Sequence, residues 1–474
     1  MFKSSRAALL AGVVCALFMT NAGQAQSLPD AVRIAFESNP QIGQAEQNRE
    51  AISFELKQAL GLYSPRVDLE ASAGVQMLST PSRRSLGIED DPLYPSQVGV
   101  TVSYDIYDGG FRDAETDMQA ARVDGASFRV LERSEFIALQ IARLYFEITL
   151  QNRIIDLSRQ NVAFHQFTLD AVSTAIESGQ LTEADRFQAI ERLAASRARI
   201  VEAMEELEAS KIEYFQLVGI PYTGGALPAR IGSAMPGSLA SAIESGRMHN
   251  PRVLLSLADI DAAAAQVRKS EAGLAPSISL EGNASTGLDL GGTGGETYDV
   301  SGRVVLRWNI FDGGIRNAEV QENMRRESES LLVLHQVHRE VEEAVRVSWD
   351  RMARQNELAS VYQEQLGASS DLVGAYQDQF DVGDRSLLDV LDAQNTYYNL
   401  QVLHETAAYS ARFAEYRLMA ASGLLVSYLG VQTPSQANAV ARTSLEVPSF
   451  DSFEPRARDE PLFSSPLDLP AASY

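Results

Sequence analysis

The 474-residue chain has almost no cysteine and no long uninterrupted apolar run. Its single cysteine, Cys15, lies in an apolar stretch near the amino terminus, and apolar residues continue after it, so we do not expect lipidation there. Beyond Cys15 the chain can form no disulfide bond and carries no thiol chemistry. No later stretch approaches the roughly 18 apolar residues of a transmembrane helix, so the sequence predicts no helical membrane span.

Basic charge is also scarce, because 40 Lys and Arg residues stand against 63 Asp and Glu residues, a net charge of −23. This balance argues against a nucleic-acid partner, which requires a basic face, and it suits a protein that handles cations. His335 and His338 lie three positions apart without further ligands nearby, which favours a solvated helix face over a metal site. The sequence has no phosphate-binding loop and no pattern of nucleophile and base. We therefore expect no enzymatic activity and no cofactor.

The amino terminus has the pattern of an export signal. Lys3 and Arg6 precede the apolar run from Ala7 to Met19, and small residues follow shortly before Gln26. This pattern predicts a signal peptide over residues 1–25, because the apolar run is too short for a membrane anchor. We therefore expect a bacterial protein that lies beyond the inner membrane.

The remaining chain contains an internal duplication. The segment NPQIGQAEQNREA at Asn39 parallels NPRVLLSLADIDA at Asn250, and each Asn-Pro pair interrupts a helical pattern. A repeat of this kind sets the architecture, so we predict one repeat over residues 26–220 and a second over residues 239–431. Residues 221–238 are rich in Gly and Pro and are interpreted as a linker. Residues 432–474 are rich in Pro and Ser, and we expect a loosely ordered tail.

Each repeat contains a pair of alternating segments, at residues 65–107 and 276–311. Apolar and polar residues alternate with a period of two, which predicts four strands of about ten residues each. A soluble sandwich would have the same period. A membrane barrel is favoured because the charged residues lie on one face only, and because Tyr104 and Trp308 occupy equivalent positions that suit an interfacial aromatic girdle. Four strands cannot close a barrel, which needs at least about eight, so the chain is expected to oligomerise.

Very long helical patterns follow the strands. An Asp-Gly-Gly turn, at Asp108 and again at Asp312, precedes helical hairpins over residues 112–219 and 315–430. A helix of roughly 65 residues is about 100 Å long, which is typical of a coiled coil and not of a globular core. The patterns break at Gly179 and Gly383, which we predict to be the tips of the two hairpins.

Charged residues follow both predicted tips. The segment VGDRSLLDVLDAQN places Arg385, Asp389 and Asp392 just after Gly383, and SGQLTEADRFQA places Asp185 in the position equivalent to Asp389. Two interpretations are open from the residues alone. The aspartates either favour the positive amino-terminal ends of the returning helices or form a charged site together with Arg385.

Taken together, the two Asn-Pro pairs, the two Asp-Gly-Gly turns and the VGDRSLLDVLDAQN segment resemble the TolC-like outer-membrane efflux protein family, over the chain from its first repeat to about Val431. The resemblance implies an α+β membrane protein, with two structural repeats and four strands per chain. It further implies a homotrimer whose 12-stranded barrel crosses the outer membrane and continues as a helical coiled-coil tunnel through the periplasm. The implied partners are outer-membrane lipid, a periplasmic adaptor and an inner-membrane ABC or proton-driven transporter.

The same resemblance implies roles for the residues at the tips. Arg385 and Asp185 correspond to the pair that holds the helical ends closed, and Asp389 and Asp392 correspond to the aspartates of the lumen constriction. Gly179 and Gly383 mark the tips that dock onto the adaptor. The family's gate tyrosine is replaced here by Phe380, which has no hydroxyl group, and a threonine before the first aspartate is replaced by Ala184.

The expected function is therefore a passive outer-membrane exit duct, for type I protein secretion or for efflux of small molecules. An alternative is a soluble periplasmic adaptor or a structural coiled-coil protein. Such a protein would share the long hairpins but would need no lipid-facing strands.

Overall fold

The computed structural model describes residues 26–292 and 294–449. The predicted signal peptide, residues 1–25, lies outside the described residues. Within them, two similar halves each contain a short helix, a longer helix, two strands and a pair of very long helices. The first half contains α1 (Leu28–Ser38), α2 (Pro40–Gly61), β1 (Arg66–Ala73), α3 (Pro81–Ser85), β2 (Ser96–Tyr107), α4 (Phe111–Glu177) and α5 (Glu183–Val218). The second half contains α6 (Leu239–His249), α7 (Pro251–Ala272), β3 (Ser277–Leu288), β4 (Glu296–Arg307), α8 (Ile315–Asp381) and α9 (Leu387–Ala421), followed by α10 (Leu425–Leu429) and α11 (Ala441–Ser444).

The Asn-Pro pairs divide the short helix from the longer one in both halves. Asn39 caps α2 by accepting a hydrogen bond from the Gln41 N–H at 2.9 Å, and Pro40 occupies the first helical position, where no N–H is needed. Asn250 caps α7 in the same way through the Arg252 N–H, also at 2.9 Å. The predicted interruption is thus a capped helix boundary.

The four strands form one antiparallel sheet in the order β1-β2-β3-β4. An apolar row crosses all four strands at one level, and neighbouring rows on the opposite face are polar. The apolar row is Leu69, Val100, Ala284 and Val300. An adjacent polar row is Asp68, Thr101, Asn283 and Ser301.

The apolar face of the sheet is uncovered within the chain. Leu69 is 74% exposed and Val300 is 84% exposed, which is unusual for strand residues of this type in a soluble protein. On the polar face, Arg303 and Arg307 both form salt bridges with Glu281, at 2.8 and 2.6 Å. The alternation predicted from the sequence is therefore a division of the sheet into an apolar face and a charged face.

An aspartate at the end of each second strand turns the chain into a long helix. The Asp108 carboxylate accepts hydrogen bonds from the N–H groups of Gly110 and Arg112, both at 3.1 Å. Asp312 accepts the equivalent bonds from Gly314 and Arg316, at 3.0 and 3.2 Å. These bonds satisfy N–H groups at the start of α4 and α8, which otherwise have no partner within the helix.

The long helices form two hairpins, α4 with α5 and α8 with α9. Helices α4 and α8 each have 67 residues, so each is about 100 Å long at 1.5 Å per residue. In the described ranges, none of the helices is both long enough and apolar enough to cross a membrane.

The largest apolar cluster joins both halves near the middle of α4, where the returning helices α5 and α9 end. Tyr145 and Tyr214 are fully buried there, with ring centroids 5.9 Å apart. Their hydroxyl groups donate hydrogen bonds to the backbone and side-chain oxygens of Gln26, at 2.6 and 2.8 Å. Gln26, the first described residue, is thereby bonded to both helices of the first hairpin.

Residues 432–449 differ from the prediction of a loosely ordered tail. Asp124 of α4 accepts hydrogen bonds from the Ala441 N–H at 2.8 Å and from the Arg442 Nε at 3.0 Å. Arg442 also forms a salt bridge with Asp261 of α7. Both aspartate side chains are almost fully buried, at 2% and 4% exposure. Arg442 therefore fixes this segment to α4 and α7 by buried salt bridges, which the composition of the segment did not predict. The rest of the predicted tail, residues 450–474, lies outside the described residues.

Candidate functional site

The two hairpin tips have the same backbone geometry. Gly179 and Gly383 adopt left-handed conformations, with φ of 76° and 82°, which glycine reaches without steric cost. The Gly179 N–H donates to Ile176 O and the next N–H donates to Ala175 O, both at 2.9 Å. Gly383 and Asp384 make the equivalent bonds, at 2.9 and 2.8 Å, so both outgoing helices end in a Schellman motif.

Asp185 and Asp389 lie in equivalent positions at the start of the returning helices. Asp185 accepts hydrogen bonds from the Thr182 N–H at 2.8 Å and from the Thr182 hydroxyl at 2.7 Å. The hydroxyl bond is the main reason that the pKa of Asp185 is lowered. Asp389 accepts a hydrogen bond from the Ser386 hydroxyl at 2.8 Å. Within the single chain, both aspartates therefore stabilise the start of a returning helix.

Arg385 contacts residues of its own hairpin. Its Nε donates to Gln379 Oε1 at 3.1 Å, and its guanidinium lies 4.2 Å from the centre of the Tyr376 ring. The nearest carboxylate paired with it is Asp389, at 3.9 Å. Among the described contacts, Arg385 is not joined to Asp185, so the predicted pair is not made within one chain and stays a prediction for the assembled state.

Asp392 has a close partner that was not predicted from the sequence. Arg192 of α5 donates from a terminal guanidinium nitrogen to Asp392 Oδ1 of α9, at 2.9 Å. The bond joins the first hairpin to the second, across 200 positions of sequence. No local signal in the sequence suggested it, because only the packing of α5 against α9 brings these two side chains together.

An apolar cluster lies between the hairpins close to the tips. Val172 and Ala189 from the first hairpin pack with Leu387 and Leu391 from the second, and Phe380 contacts this cluster. The residue that replaces the family's gate tyrosine thus contributes apolar contact in this chain. It has no hydroxyl group with which to join Asp185 and Arg385.

Buried polar pairs connect α4 and α9 farther from the tips. The Ser158 and Tyr398 hydroxyls lie 2.7 Å apart, and Gln394 Nε2 donates to Asn161 Oδ1 at 2.9 Å. His165 is buried nearby, and burial, together with the positive charge of Arg192, lowers its pKa to about 4. Bonds of this kind fix the register of the packed helices, since a shift would leave buried polar groups unpaired.

The predicted aromatic pair lies at the same end of the sheet. Tyr104 is opposite Leu280 in the β2–β3 pairing, and Trp308 comes directly after β4. Tyr104 is 39% exposed and Trp308 is 56% exposed. Trp308 Nε1 donates to Leu274 O at 3.2 Å, which holds the ring where the strands meet the helices. An amphipathic ring in this position suits a boundary between lipid and water.

A sheet with an exposed apolar face, continued by two helical hairpins with charged tips whose outgoing helices are about 100 Å long, defines a class of membrane channel subunit with an attached helical tunnel. The protein-family model described as "Outer membrane efflux protein" matches residues 31–219 and 242–424. The chain therefore belongs to the outer membrane efflux protein family. This confirms the resemblance, the fold class and the outer-membrane location expected from the sequence.

Three curated relatives are similar over most of their length. The outer membrane efflux protein BepC of Brucella suis is 24% identical, over 71% of this chain and 74% of BepC. The outer membrane protein TolC of Escherichia coli is 22% identical, over 85% of this chain and 83% of TolC. The alkaline protease secretion protein AprF of Pseudomonas aeruginosa is 23% identical, over 90% and 92%.

A solved structure has the same fold. The CmeC outer membrane channel of Campylobacter jejuni superimposes with a TM-score of 0.72, covering 89% of each chain at 16% sequence identity. The chain therefore shares the fold of this channel.

Proposed function

We propose that three copies of this chain close a 12-stranded barrel and form a passive exit duct through the outer membrane and periplasm. The observation that carries the proposal is the sheet itself. It has an exposed apolar face, a charged opposite face, and edge strands β1 and β4 that each pair on one side only in the described chain. Unpaired strand edges are not tolerated in lipid, so each edge needs the opposite edge of another copy.

In this proposal the charged face of the sheet lines an aqueous lumen. The Glu281 salt bridges with Arg303 and Arg307 then lie in water, where charged side chains cost little. The exposed apolar rows face outer-membrane lipid, and Tyr104 and Trp308 lie at its periplasmic boundary.

The hairpin tips form the periplasmic entrance of the proposed duct. Arg385 of one hairpin and Asp185 hold the entrance closed in the assembly, and Asp389 and Asp392 form rings of three carboxylates at the constriction. Acidic rings attract cations, which gives the entrance cation selectivity. The turns at Gly179 and Gly383 dock onto a periplasmic adaptor.

Energy for transport comes from an inner-membrane ABC or proton-driven transporter. The cargo is a secreted protein or a set of small molecules, and the names of AprF and BepC illustrate one case each. The two cargo classes are distinguished by a gene deletion. Loss of a protein from the culture medium indicates secretion, whereas increased sensitivity to toxic small molecules indicates efflux.

The duct itself is tested with the purified protein. The proposal predicts detergent-requiring trimers from the outer-membrane fraction that conduct ions in planar lipid bilayers. A freely soluble monomer in the periplasmic extract would contradict it and would favour the alternative of a soluble adaptor or structural coiled-coil protein.

A further inference from the structure

The salt bridge between Arg192 and Asp392 differs from the other charged contacts at the tips. Asp185 and Asp389 are bonded to residues of their own helix start, and Arg385 contacts its own hairpin. Arg192 lies 3.5 Å from Glu191 of its own helix, but it also reaches from α5 to α9, so its closer contact with Asp392 is a charged connection between the two hairpins.

The two tip aspartates of the second hairpin are therefore unequally compensated. Asp392 lies 2.9 Å from its arginine, at hydrogen-bonding distance, whereas Asp389 lies 3.9 Å from Arg385. A direct charge-assisted bond neutralises a carboxylate much more effectively than a contact one ångström longer, because the bond also orients the donor. The Asp392 side chain nevertheless stays 56% exposed, so it is accessible to ions in solution.

We propose that Arg192 is the counter-ion of Asp392, and that it reduces the affinity of the entrance for multivalent cations while connecting the two hairpins. The inference rests on the proposed function, in which Asp392 faces the lumen. Three copies then place three arginines beside three aspartates, so the ring formed by Asp392 carries much less net charge than its carboxylates alone. Arg192 acts through Asp392 and is a positioning residue.

The Arg192 bond also substitutes for two polar side chains that this chain lacks near the tips, a tyrosine at position 380 and a threonine at position 184. Phe380 packs against the apolar cluster and offers no hydroxyl, and Ala184 stands where the family has a threonine. The Arg192 bond supplies a polar contact between hairpins, one heptad farther from the tip than Asp185. Its loss is expected to loosen the closed entrance as well as to expose negative charge.

The experiment measures block of single-channel current by lanthanum chloride in planar bilayers, with the full trimeric protein. Arg192→Gln is expected to tighten the block about tenfold, which corresponds to about 1.4 kcal/mol. Arg192→Met, which keeps the apolar stem, is a second neutral variant with the same expected result. Arg192→Lys keeps the charge and is expected to resemble the unmodified protein.

Two further variants separate the inference from the proposal on which it rests. Arg199→Gln removes an exposed arginine of the same helix, paired with Glu202 of that helix, and is expected to change the block little. Asp392→Asn is expected to weaken the block, and in that background Arg192→Gln should tighten it much less than in the unmodified protein.

The outcomes are distinguishable. If Asp392→Asn weakens the block but both neutral Arg192 variants leave it unchanged, the counter-ion role is wrong and the lumen position of Asp392 stands. The same holds if Arg192→Gln tightens the block equally with and without Asp392. If Asp392→Asn changes nothing, Asp392 does not line the entrance and both proposals fail at this residue.

Discussion

Asn39 and Asn250 make the same pair of hydrogen bonds in the two halves of the chain. Each caps its own helix, and each donates from its side-chain amide to a carbonyl in the last turn of a returning long helix, Leu217 O and Ala421 O, both at 2.9 Å. The amide side chain, which is both donor and acceptor, thus fixes the short helices against the hairpins. The two repeats therefore share this side-chain contact as well as the Asn-Pro sequence pattern.

Replacing either asparagine by alanine is expected to lower the stability of the folded chain by about 2 kcal/mol, because a cap is lost and a partly buried carbonyl loses its donor. Aspartate at the same position keeps the cap acceptor but loses the amide donor, and is expected to have a smaller effect. Thermal unfolding of the detergent-solubilised protein measures both. Equal stability of the Ala and Asp variants would show that the cap contributes nothing, and an Asp variant as stable as the unmodified protein would show that the bond to the long helix contributes nothing.

The carboxy-terminal segment is expected to depend on Arg442. In Arg442→Ala, Asp124 and Asp261 lose their shared arginine while they remain buried, and loss of one partner of a buried ion pair typically costs about 3–5 kcal/mol. The segment over residues 432–449 should then be cleaved much faster in limited proteolysis. Arg354→Ala, which removes an exposed pair with Glu357, is the matched control. Similar cleavage of the two variants would contradict an anchoring role.

Glu135 is expected to make stability depend on pH. Its side chain is buried and accepts a hydrogen bond from the Val426 N–H at 3.2 Å, and burial raises its pKa to about 7. Because this pKa is above the unfolded value of 4.5, the folded state binds the extra proton between these values, and stability falls as the pH rises from 4.5 to 7. Below pH 4.5 this contribution is constant.

Glu135→Gln removes the ionisation and keeps an acceptor for Val426. The melting temperature of the variant relative to the unmodified protein should therefore rise between pH 5 and pH 8. A constant difference across this range would show that Glu135 does not titrate there.

The fold was predictable because its signals are local. The period-two strands, the Asp-Gly-Gly turns and the tip glycines at Gly179 and Gly383 each depend on a few adjacent residues. The contact between Arg192 and Asp392 was not predictable in this way, since only the packing of two hairpins brings these residues together. The anchoring role of Arg442 was not predictable for a similar reason. Its partners lie in α4 and α7, and the composition around it is typical of a loosely ordered tail.

Arg385→Ser is expected to raise single-channel conductance if Arg385 holds the entrance closed. In the single chain Arg385 donates a hydrogen bond to Gln379 and packs over the Tyr376 ring, so the serine variant also loses these contacts within its own hairpin. Tyr376→Leu removes the ring contact alone and separates the two effects. An increase in Arg385→Ser but not in Tyr376→Leu supports the gate, and unchanged conductance in Arg385→Ser would count against it.

We propose that edge strands β1 and β4 of three copies pair to close one barrel, and the absence of cysteine after Cys15 makes this pairing directly testable. One cysteine is placed at Ala71 in β1, and a second is moved along β4 from Val300 to Leu306, on the same face of the sheet. Within one chain these strands are separated by β2 and β3, roughly 14 Å across three strand spacings, so a disulfide must join two copies. After oxidation in the outer membrane, we expect covalent dimers and trimers at one β4 position and no larger species on a denaturing gel. Absence of cross-linked chains at every position, or a ladder that continues beyond three copies, would contradict a closed three-chain barrel.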